Sequence, residues 1–490
     1  MNGKSNRWLY PPILILGIYF IIRLIDQSQL FYVFPLDYTN DISSYMASVF
    51  FLSKCGFHEF CPYWYNGFLA FKGFSLGWSL FTLPIYLLTK NILFATFTSI
   101  ILMYIIAFIF LIILGRIERF PIPVVVAFFL FLFGNAIAIG DFLRLGRTVS
   151  MFAFVLFIGL VVLTLYYKDN KIDMKFFFLF IPLYATILIS HQQEMFLSQF
   201  VVLSLFLVKQ FREKIKIILS SLTGFLLSSF WLVPFLLNLK NVRPFEFQGK
   251  WLIQFTNTYI LTNIASIIIP VLFLVLFYKY WNDHNKSRRE LLFFSPILVV
   301  CILFLFKLTI FIPLFKNISP DPYLMLFLFF SIFLFFKTKF GRFGKVIYML
   351  LILVSILNVA ISAIHTPYFI KHSVHDEEII SLLSEEIKDK FIIISTPPNS
   401  FSLAYYSYAA IYYNLTTPDG WYRHMVNEEY LDYINNMYYG FLDNDCERFN
   451  NNLRILNATE VIGYLDDCKK LKECGLEEKI KKTYVCLYHI

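Results

Sequence analysis

The sequence predicts an α-helical protein that crosses a membrane many times and ends in a small α/β domain. Of its 490 residues, 58% are hydrophobic and only 15% are charged. Soluble globular chains average about 45–50% apolar and about 25% charged residues. Apolar runs of about 17–25 residues, the length that a helix needs to cross a bilayer, recur up to residue 365. These runs do not show the ten-residue segments of alternating hydrophobicity that are typical of a membrane β-barrel.

Eleven apolar runs are candidate spans. They cover approximately residues 9–26, 92–115, 121–139, 148–167, 175–190, 194–209, 216–238, 258–280, 291–310, 322–337 and 345–364. If the N-terminus is cytoplasmic, the inner segments carry 19 Lys and Arg and the outer connections carry 10. Lys and Arg accumulate on the cytoplasmic side of membrane proteins. We therefore predict a multi-pass cell-membrane protein with a cytoplasmic N-terminus and an extracytoplasmic C-terminus.

Two of the predicted outer segments are long. The first connection, about residues 26–90, contains "LFTLPIYLLTK", which is too short to span and is expected at the membrane interface. The tail combines a helical pattern, "VHDEEIISLLSEEIKDK", with the strand-like runs "KFIIIST" and "TYVCLYHI". We therefore divide the chain into a membrane domain, residues 1–365, and an extracytoplasmic α/β domain, residues 366–490.

The net charge of +9 does not indicate a nucleic-acid partner. The tail from Thr366 carries 12 Lys and Arg against 19 Asp and Glu, a net charge of −7, so the remainder is +16. The basic residues of the membrane part flank the spans, where they report orientation. No basic patch with interleaved aromatic residues indicates a nucleic-acid groove.

Cysteine placement agrees with an outer first connection and an outer tail. Cys301 lies in a candidate span, and the other six lie outside the spans: Cys55, Cys61, Cys446, Cys468, Cys474 and Cys486. An oxidising compartment permits disulfides between them. Cys55 and Cys61 form a local pair, the four tail cysteines allow three pairings, and free thiols are the alternative. No Cys/His spacing matches a zinc site.

The first connection carries a more specific pattern. Asp41 soon follows the first span and is succeeded by "ISSYMASVFFL", by "CPYWYNGF" and by a proline-containing interfacial helix. Further along, "GDFLRLGRTVS" enters the fourth span and "ILISHQQEMFLSQF" holds a histidine turn between the fifth and sixth. This layout resembles the GT-C superfamily of glycosyltransferases. Most narrowly, it resembles the prokaryotic membrane proteins labelled 6-pyruvoyl-tetrahydropterin-synthase-related. The "WWDYG" element of oligosaccharyltransferases is absent.

The resemblance implies transfer of a sugar from a polyprenyl-phosphate donor to an extracytoplasmic glycan, lipid or protein acceptor, in cell-envelope glycan or glycoprotein assembly. Such a reaction needs a base for the acceptor hydroxyl and positive charge or a metal for the departing phosphate. Two other functions stay open. One is a transporter or flippase of lipid-linked saccharides, although the chain lacks the inverted repeats typical of transporters. The other is a non-catalytic envelope scaffold.

Three residues are candidates for catalysis. Asp41 matches the loop acid of the family, and Asp37 stands four residues before it. His191 lies at the outer end of the fifth span, where ionisable groups are functional candidates. The alternative for Asp41 is a helix N-cap ahead of "ISSYMASVFFL", and the alternative for His191 is a structural role.

Arg144 and Arg147 are candidates for binding the lipid phosphate. Both lie on the predicted outer side, where the positive-inside rule disfavours them. Arginine pairs bidentately with phosphate, which explains this placement, whereas interfacial snorkelling is the alternative. We expect Asp141 to pair with one of the two.

Other polar and aromatic residues are candidates for contacting substrate: Gln192, Glu194, Glu59, Tyr63 and Trp64, with His58 beside Glu59. An aromatic and glycine-containing stretch suits sugar stacking and equally suits an interfacial belt. Asp41, His191 and Glu194 also supply ligand types that a divalent metal ion accepts. A metal ion of this kind is the one cofactor that the sequence suggests.

Overall fold

The computed structural model describes residues 7–37, 41–57, 59–238, 260–312, 315–340, 344–396, 401–423 and 426–490. His58 lies outside these ranges. Up to residue 365 the described chain is helical. The helices are α1 (Tyr10–Gln27), α2 (Ile42–Cys55), α3 (Gly77–Thr89), α4 (Ile92–Glu118), α5 (Ile122–Phe133), α6 (Ala136–Arg144), α7 (Thr148–Asp169), α8 (Met174–Ser190), α9 (Gln192–Val208), α10 (Phe211–Asn238), α11 (Ile260–Asp283), α12 (Arg288–Leu305), α13 (Pro320–Lys337) and α14 (Gly344–His365).

Within the described ranges, seven helices are long and apolar enough to cross a membrane: α1, α4, α7, α10, α11, α13 and α14. Helices α5 and α6 meet at a 52° bend and together make an eighth if the pair is one broken span. The bend follows from Asn135, whose side chain caps α6 by accepting hydrogen bonds from Ile137 N and Ala138 N. The chain is therefore a multi-pass membrane protein.

The predicted number of about eleven spans is not confirmed. Every predicted segment coincides with an apolar helix, but three of these helices fall short of a span. Helices α8 and α9 have 17 residues each, at the lower limit of the roughly 17–25 residues that cross a bilayer. Helix α12 has 18 residues but opens with three charged ones, Arg288, Arg289 and Glu290.

Helix α7 lies at the centre of the bundle. In the most apolar 18-residue stretch of α7, 83% of the residues are buried inside the protein, whereas the corresponding share in α14 is 11%. It packs against α3, α4, α8 and α9. A helix that is apolar all round and surrounded by others is a core helix, so residues at its N-terminal end are held by several neighbours at once.

The first and last apolar helices close the bundle against each other. Tyr19 of α1 donates a hydrogen bond to Ser362 Oγ of α14 at 3.0 Å. Arg23 is 2% exposed, and its guanidinium donates to Thr366 O at 2.8 Å and to Pro367 O at 2.9 Å. These two hydrogen bonds offset part of the cost of burying a charged side chain.

The C-terminal part contains a mixed four-stranded sheet in the order β1-β2-β4-β3. Its strands are β1 (Phe391–Ile394), β2 (Glu460–Tyr464), β3 (Glu477–Lys481) and β4 (Val485–His489). Strand β1 pairs parallel with β2, whereas β4 pairs antiparallel with both β2 and β3. The surrounding helices are α15 (Val374–Glu385), α16 (Ala404–Tyr413), α17 (Glu428–Leu442), α18 (Cys446–Ile455) and α19 (Asp467–Glu473). The domain boundary at residue 365 stays a prediction.

The first connection and the C-terminal part are joined by hydrogen bonds. Asn66 N donates to Thr417 O at 3.2 Å, and Thr417 N donates to Tyr63 O at 2.9 Å. The Asn66 amide also donates to Leu456 O at 2.7 Å. Because backbone groups of both segments take part, the tail is fixed on the first connection rather than tethered to it.

Three disulfides join Cys55 to Cys61, Cys446 to Cys474 and Cys468 to Cys486. The structure thus selects one of the three pairings open to the tail cysteines and confirms the local pair in the first connection. Cys301 is a buried free thiol.

We expect peptide mass mapping without reductant to recover these three pairs and to find Cys301 as the single free thiol. Replacing Cys446 and Cys474 together by Ala is expected to lower the free energy of unfolding by about 2–5 kcal/mol, since a cross-link restricts the unfolded chain. Recovery of all four tail cysteines as free thiols in the untreated protein would contradict the pairing.

Candidate active site

A charged cluster lies where α2, α6, α7 and α13 converge at one end of the bundle. Its centre is the guanidinium of Arg147, just before α7. Arg147 Nη1 lies 3.1 Å from Asp141 Oδ1 and 3.0 Å from Asp321 Oδ2, and Nε lies 3.9 Å from Asp41 Oδ2. We call these four residues the Arg147 cluster. The sequence prediction that Asp141 pairs with one of the two arginines is confirmed.

The turn between α6 and α7 positions this arginine. Gly146 has a φ of +64°, a conformation that residues with a Cβ adopt at a cost. Arg147 N donates to Asp141 O at 3.1 Å, and Asp41 N donates to Leu145 O at 2.8 Å. The first connection is thereby fixed to the turn through its backbone, which holds the Asp41 carboxylate beside Arg147.

A second polar group lies on the same side of α7. His191 occupies the extended break between α8 and α9, and its Nδ1 pairs with Glu194 Oε2. The other oxygen of Glu194 accepts a hydrogen bond of 2.6 Å from Ser150 Oγ. Ser150 follows Arg147 by three residues, which places both on one face of the helix start. Gln192 is half-buried at the first position of α9.

Asp37 and Arg144 form an ion pair of their own. The exposed fraction of the side chain is 13% for Asp37 and 7% for Arg144. Both candidates are therefore engaged with each other and largely shielded from solvent, which leaves Arg147, 27% exposed, as the arginine that a ligand reaches more readily.

Exposure distinguishes Asp41 from the neighbouring carboxylates. Its side chain is 35% exposed, whereas the others lie between 4% and 13%: Asp37, Asp141, Glu194 and Asp321. A group that exchanges a proton with a substrate must be within hydrogen-bond reach of it. Asp41 is the carboxylate of this region that best meets that condition.

The alternative role for Asp41, a helix cap, is not what the structure shows. Asp41 stands immediately before α2, but its side chain accepts no hydrogen bond from the described backbone of that helix. Its main-chain carbonyl accepts from Ser44 Oγ at 2.7 Å instead. The carboxylate is left free for Arg147. Burial raises the pKa of Asp41, and the positive charge of Arg147 opposes that rise.

The described residues do not form the predicted metal site. In the ranges that the structure describes, no group of three or more His, Cys, Asp and Glu side chains is placed to hold a metal ion. The predicted set of Asp41, His191 and Glu194 is divided, because Arg147 lies among the carboxylates of its cluster while His191 pairs with Glu194. Binding of a divalent metal ion at this site stays a prediction.

Three predicted acceptor-side residues lie away from the Arg147 cluster. Trp64 is fully buried, and its Nε1 donates to Tyr406 O at 3.3 Å. The ring of Tyr63 stacks on Phe51, with 5.6 Å between centroids. Glu59 is exposed four residues beyond the C-terminal end of α2, and Asp41 precedes the N-terminal end of this helix, which is about 21 Å long at 1.5 Å per residue. A role of these three residues in contacting substrate stays a prediction from the sequence.

Two residues near the site were not predicted from the sequence. Asp321 opens α13 and binds Arg147; an acid inside an apolar segment is a usable signal, since such groups are functional candidates. Tyr422 comes from the C-terminal part, and its hydroxyl lies 2.8 Å from Ser44 Oγ. The sequence offers no signal for that contact, which joins residues 378 positions apart.

Comparison with known proteins identifies the fold. No family model matches the sequence, and no curated protein does. Arabinofuranosyltransferase AftD from Mycobacteria aligns with 97% of this chain at a TM-score of 0.60 and 11% identity, and the chain spans 40% of AftD. The Archaeoglobus fulgidus oligosaccharyltransferase, solved with Zn and sulfate, aligns with 91% at a TM-score of 0.54 and 10% identity, over 68% of its own length. Both are GT-C glycosyltransferases. The chain shares the fold of these two proteins.

This result supports the GT-C resemblance at the level of the fold and leaves its narrower part unconfirmed: no match supports the 6-pyruvoyl-tetrahydropterin-synthase-related membrane proteins. In this fold, the acid that the resemblance singled out, Asp41, lies beside an arginine at the end of a buried helix. Fold alone does not establish an activity, so the function depends on what the site residues can do.

Proposed function

We propose that the chain is a membrane glycosyltransferase that moves a sugar from a polyprenyl-phosphate donor to a hydroxyl of an extracytoplasmic acceptor. The observation that carries this proposal is the convergence of a partly exposed carboxylate, Asp41, and a partly exposed arginine, Arg147, within a GT-C-like fold. One can accept a proton and the other can receive negative charge, the two requirements of the reaction.

The proposed reaction uses the side chains in distinct roles. The acceptor oxygen attacks the anomeric carbon and transfers its proton to the Asp41 carboxylate. The bond between that carbon and the phosphate oxygen breaks, and the polyprenyl phosphate leaves with the electron pair. Arg147 is the more exposed arginine and receives the phosphate charge, while Arg144 stays paired with Asp37.

His191 assists from the break between α8 and α9, on the same side of α7 as Arg147. Its Nδ1 is engaged by Glu194, and a carboxylate partner of this kind fixes the orientation of an imidazole. Nε2 is then the nitrogen available to the phosphate, as a donor when the ring is protonated. Gln192 is the first residue of α9, and its contact with substrate stays a prediction.

The acceptor is a glycan, lipid or protein of the cell envelope, and membrane lipids surround the apolar helices. The proposed orientation places the N-terminus in the cytoplasm and the C-terminal part outside. Disulfides support it, because one lies in the first connection and two lie in the tail, and disulfides persist in oxidising compartments.

Cysteine labelling tests this orientation. Asn444 and Asn285 are both exposed residues with positive φ in turns, on opposite predicted sides of the membrane. In intact cells, a membrane-impermeant thiol reagent is expected to label Asn444→Cys and to spare Asn285→Cys. Labelling of Asn285→Cys alone would reverse the orientation and remove the support for an extracytoplasmic acceptor.

The activity itself is tested with the purified full-length protein in lipid vesicles that contain polyprenyl-phosphate sugars. We expect release of polyprenyl phosphate to depend on an added acceptor. Absence of turnover and of binding across pentose and hexose donors would contradict the enzyme function.

We expect the transfer rate to fall as the pH is lowered through the pKa of Asp41. A base works only when it is ionised, and burial places this pKa above the ordinary aspartate value of about 3.9. The loss of kcat/KM should therefore occur at a higher pH than an unperturbed carboxyl would give. A profile that stays flat down to about pH 4 would contradict the assignment.

A further inference from the structure

A cavity of about 140 Å³ lies between the first connection and the C-terminal part. Its wall combines apolar and aromatic side chains with polar ones. The lining residues are Leu36, Ser373, His375, Asp376, Ile379, Phe401, Ser402, Tyr405 and Tyr464. The volume is below the roughly 300–1,000 Å³ of sites for drug-sized ligands, so the cavity suits a ligand of about one ring.

The cavity lies at the edge of the sheet where α/β proteins commonly bind ligands. Strands β1 and β2 run parallel, and Tyr464 is the last residue of β2. Phe401 and Ser402 belong to the connection that leaves the carboxyl end of β1, and Tyr405 is the second residue of α16. Ligands of α/β sheets bind outside the carboxyl ends of parallel strands, which is where this cavity lies.

Its polar groups retain hydrogen-bonding capacity. The Asp376 carboxylate accepts from Ser373 N, Ser373 Oγ and Tyr405 OH, and a carboxylate has about four acceptor positions. Ser402 Oγ accepts from Ala404 N at 3.1 Å and donates to no residue that the structure describes. One acceptor position and one hydroxyl donor are thus available to a ligand.

His375 adds an unsatisfied atom. Its Nδ1 is shielded from solvent and has no hydrogen-bond partner among the described residues. The imidazole ring packs edge-on against Tyr484 and Tyr464, with 4.2 Å and 5.3 Å between centroids. Buried polar atoms are normally paired, so a ligand hydroxyl that completes this nitrogen after the ring turns toward the cavity would be favourable.

The chemistry of this wall matches a carbohydrate. Sugar rings present hydroxyls that both donate and accept, as Asp376, Ser402 and His375 require, together with C–H faces that pack on aromatic rings such as Tyr464. The carboxylate of Asp376 disfavours an anionic sugar, because like charges repel in a partly buried site. A neutral ring is therefore the expected ligand.

The first connection links the cavity to the ion pair of Asp37 and Arg144. Leu36 lines it, and the next residue, Asp37, forms the ion pair with Arg144. Consecutive Cα atoms are about 3.8 Å apart, so one short stretch of backbone contributes to both places. We propose that the cavity binds one neutral sugar residue of a glycan acceptor; its role as acceptor subsite rests on the proposed function, whereas sugar binding does not.

Saturation-transfer NMR tests the binding on the full-length protein in lipid nanodiscs. The probes are methyl glycosides of neutral hexoses and pentoses, with methyl glucuronide as the anionic counterpart. We expect at least one neutral glycoside to bind with a Kd of about 1 mM and the glucuronide not to bind at this level. Tyr464→Ala and Ser402→Ala are each expected to weaken binding about tenfold.

Tyr439→Ala is the matched control, since Tyr439 is a 55% exposed tyrosine of the same part of the chain and does not line the cavity. Three results overturn the inference: no neutral glycoside binding at about 10 mM, unchanged binding in both cavity variants, or an equal loss in Tyr439→Ala. Thermal unfolding of each variant separates lost binding from lost folding.

Transfer kinetics separate this inference from the proposed function. If both hold, Tyr464→Ala raises KM for the glycan acceptor about tenfold and leaves kcat unchanged. Glycoside binding in a wild-type protein that transfers no sugar would overturn the acceptor role and the proposed function while leaving the sugar site standing. Transfer without glycoside binding would overturn the sugar site alone.

Discussion

We expect Asp41→Asn to lower the rate of sugar transfer by about 10²–10⁴-fold without unfolding the protein. An amide has the shape of the carboxylate but cannot take the acceptor's proton. Little stability should be lost, since the Asp41 side chain caps no helix and its oxygen lies 3.9 Å from Arg147. Initial rates with saturating donor and acceptor, together with thermal unfolding in the same detergent, measure both quantities.

Asp443→Asn is a suitable control, because Asp443 is an aspartate of the tail whose side chain is 67% exposed. It is expected to transfer sugar at the wild-type rate. Asp37→Asn tests the other candidate base; because it leaves the buried Arg144 without its carboxylate, it is expected to lose stability, and its transfer rate is compared only after thermal unfolding confirms a folded protein. Near wild-type transfer by a correctly folded Asp41→Asn protein would exclude Asp41 as the base.

Arg147→Gln is expected to lower the free energy of unfolding by about 3–5 kcal/mol, the range found when one partner of a buried ion pair is removed. Its guanidinium holds Asp141 and Asp321, whose side chains are each 12% exposed. Without it, these two carboxylates repel each other across a poorly solvated space. Unfolding by heat or denaturant in a mild detergent measures the loss.

A triple variant separates the two roles of Arg147. Adding Asp141→Asn and Asp321→Asn to Arg147→Gln removes the unpaired charges, so most of the stability should return. Transfer should stay low, since the phosphate still lacks its positive partner. A triple variant that regains both stability and activity would show that Arg147 serves the fold alone.

Much of the membrane part was predictable because apolar length is a local property. All eleven predicted segments coincide with helices, yet α8 and α9 stop at 17 residues and their passage through a bilayer depends on neighbours. The number of spans thus depends on how the helices pack, which the hydropathy of the sequence does not show. The β1 and β4 strands also fell within predicted runs, because buried strands are continuously apolar.

The charged site was only partly predictable. Asp41 stood out because it matches the loop acid of the proteins that the chain resembles, and Arg147 because the positive-inside rule disfavours an arginine on the predicted outer side. Asp321, which also binds Arg147, lies 174 residues beyond it, and no local pattern joins the two. Trp64 was predicted to contact substrate but is buried in the core. The sequence around an aromatic residue does not distinguish one that packs in a core from one that stacks on a sugar. Only the fold shows that Trp64 is enclosed.

The burial of Arg23 has a consequence for how the protein is made. Helix α1 is synthesised first, but both carbonyl groups that receive its guanidinium lie more than 340 residues later. At about 5–20 residues per second, translation needs roughly 20–70 s to reach them. Throughout that delay an arginine in an apolar helix lacks its partners, at a cost of up to about 3.5 kcal/mol in lipid. The first helix is therefore inserted with an arginine near its C-terminal end that still lacks both carbonyl partners, and a chain truncated before residue 366 never acquires them.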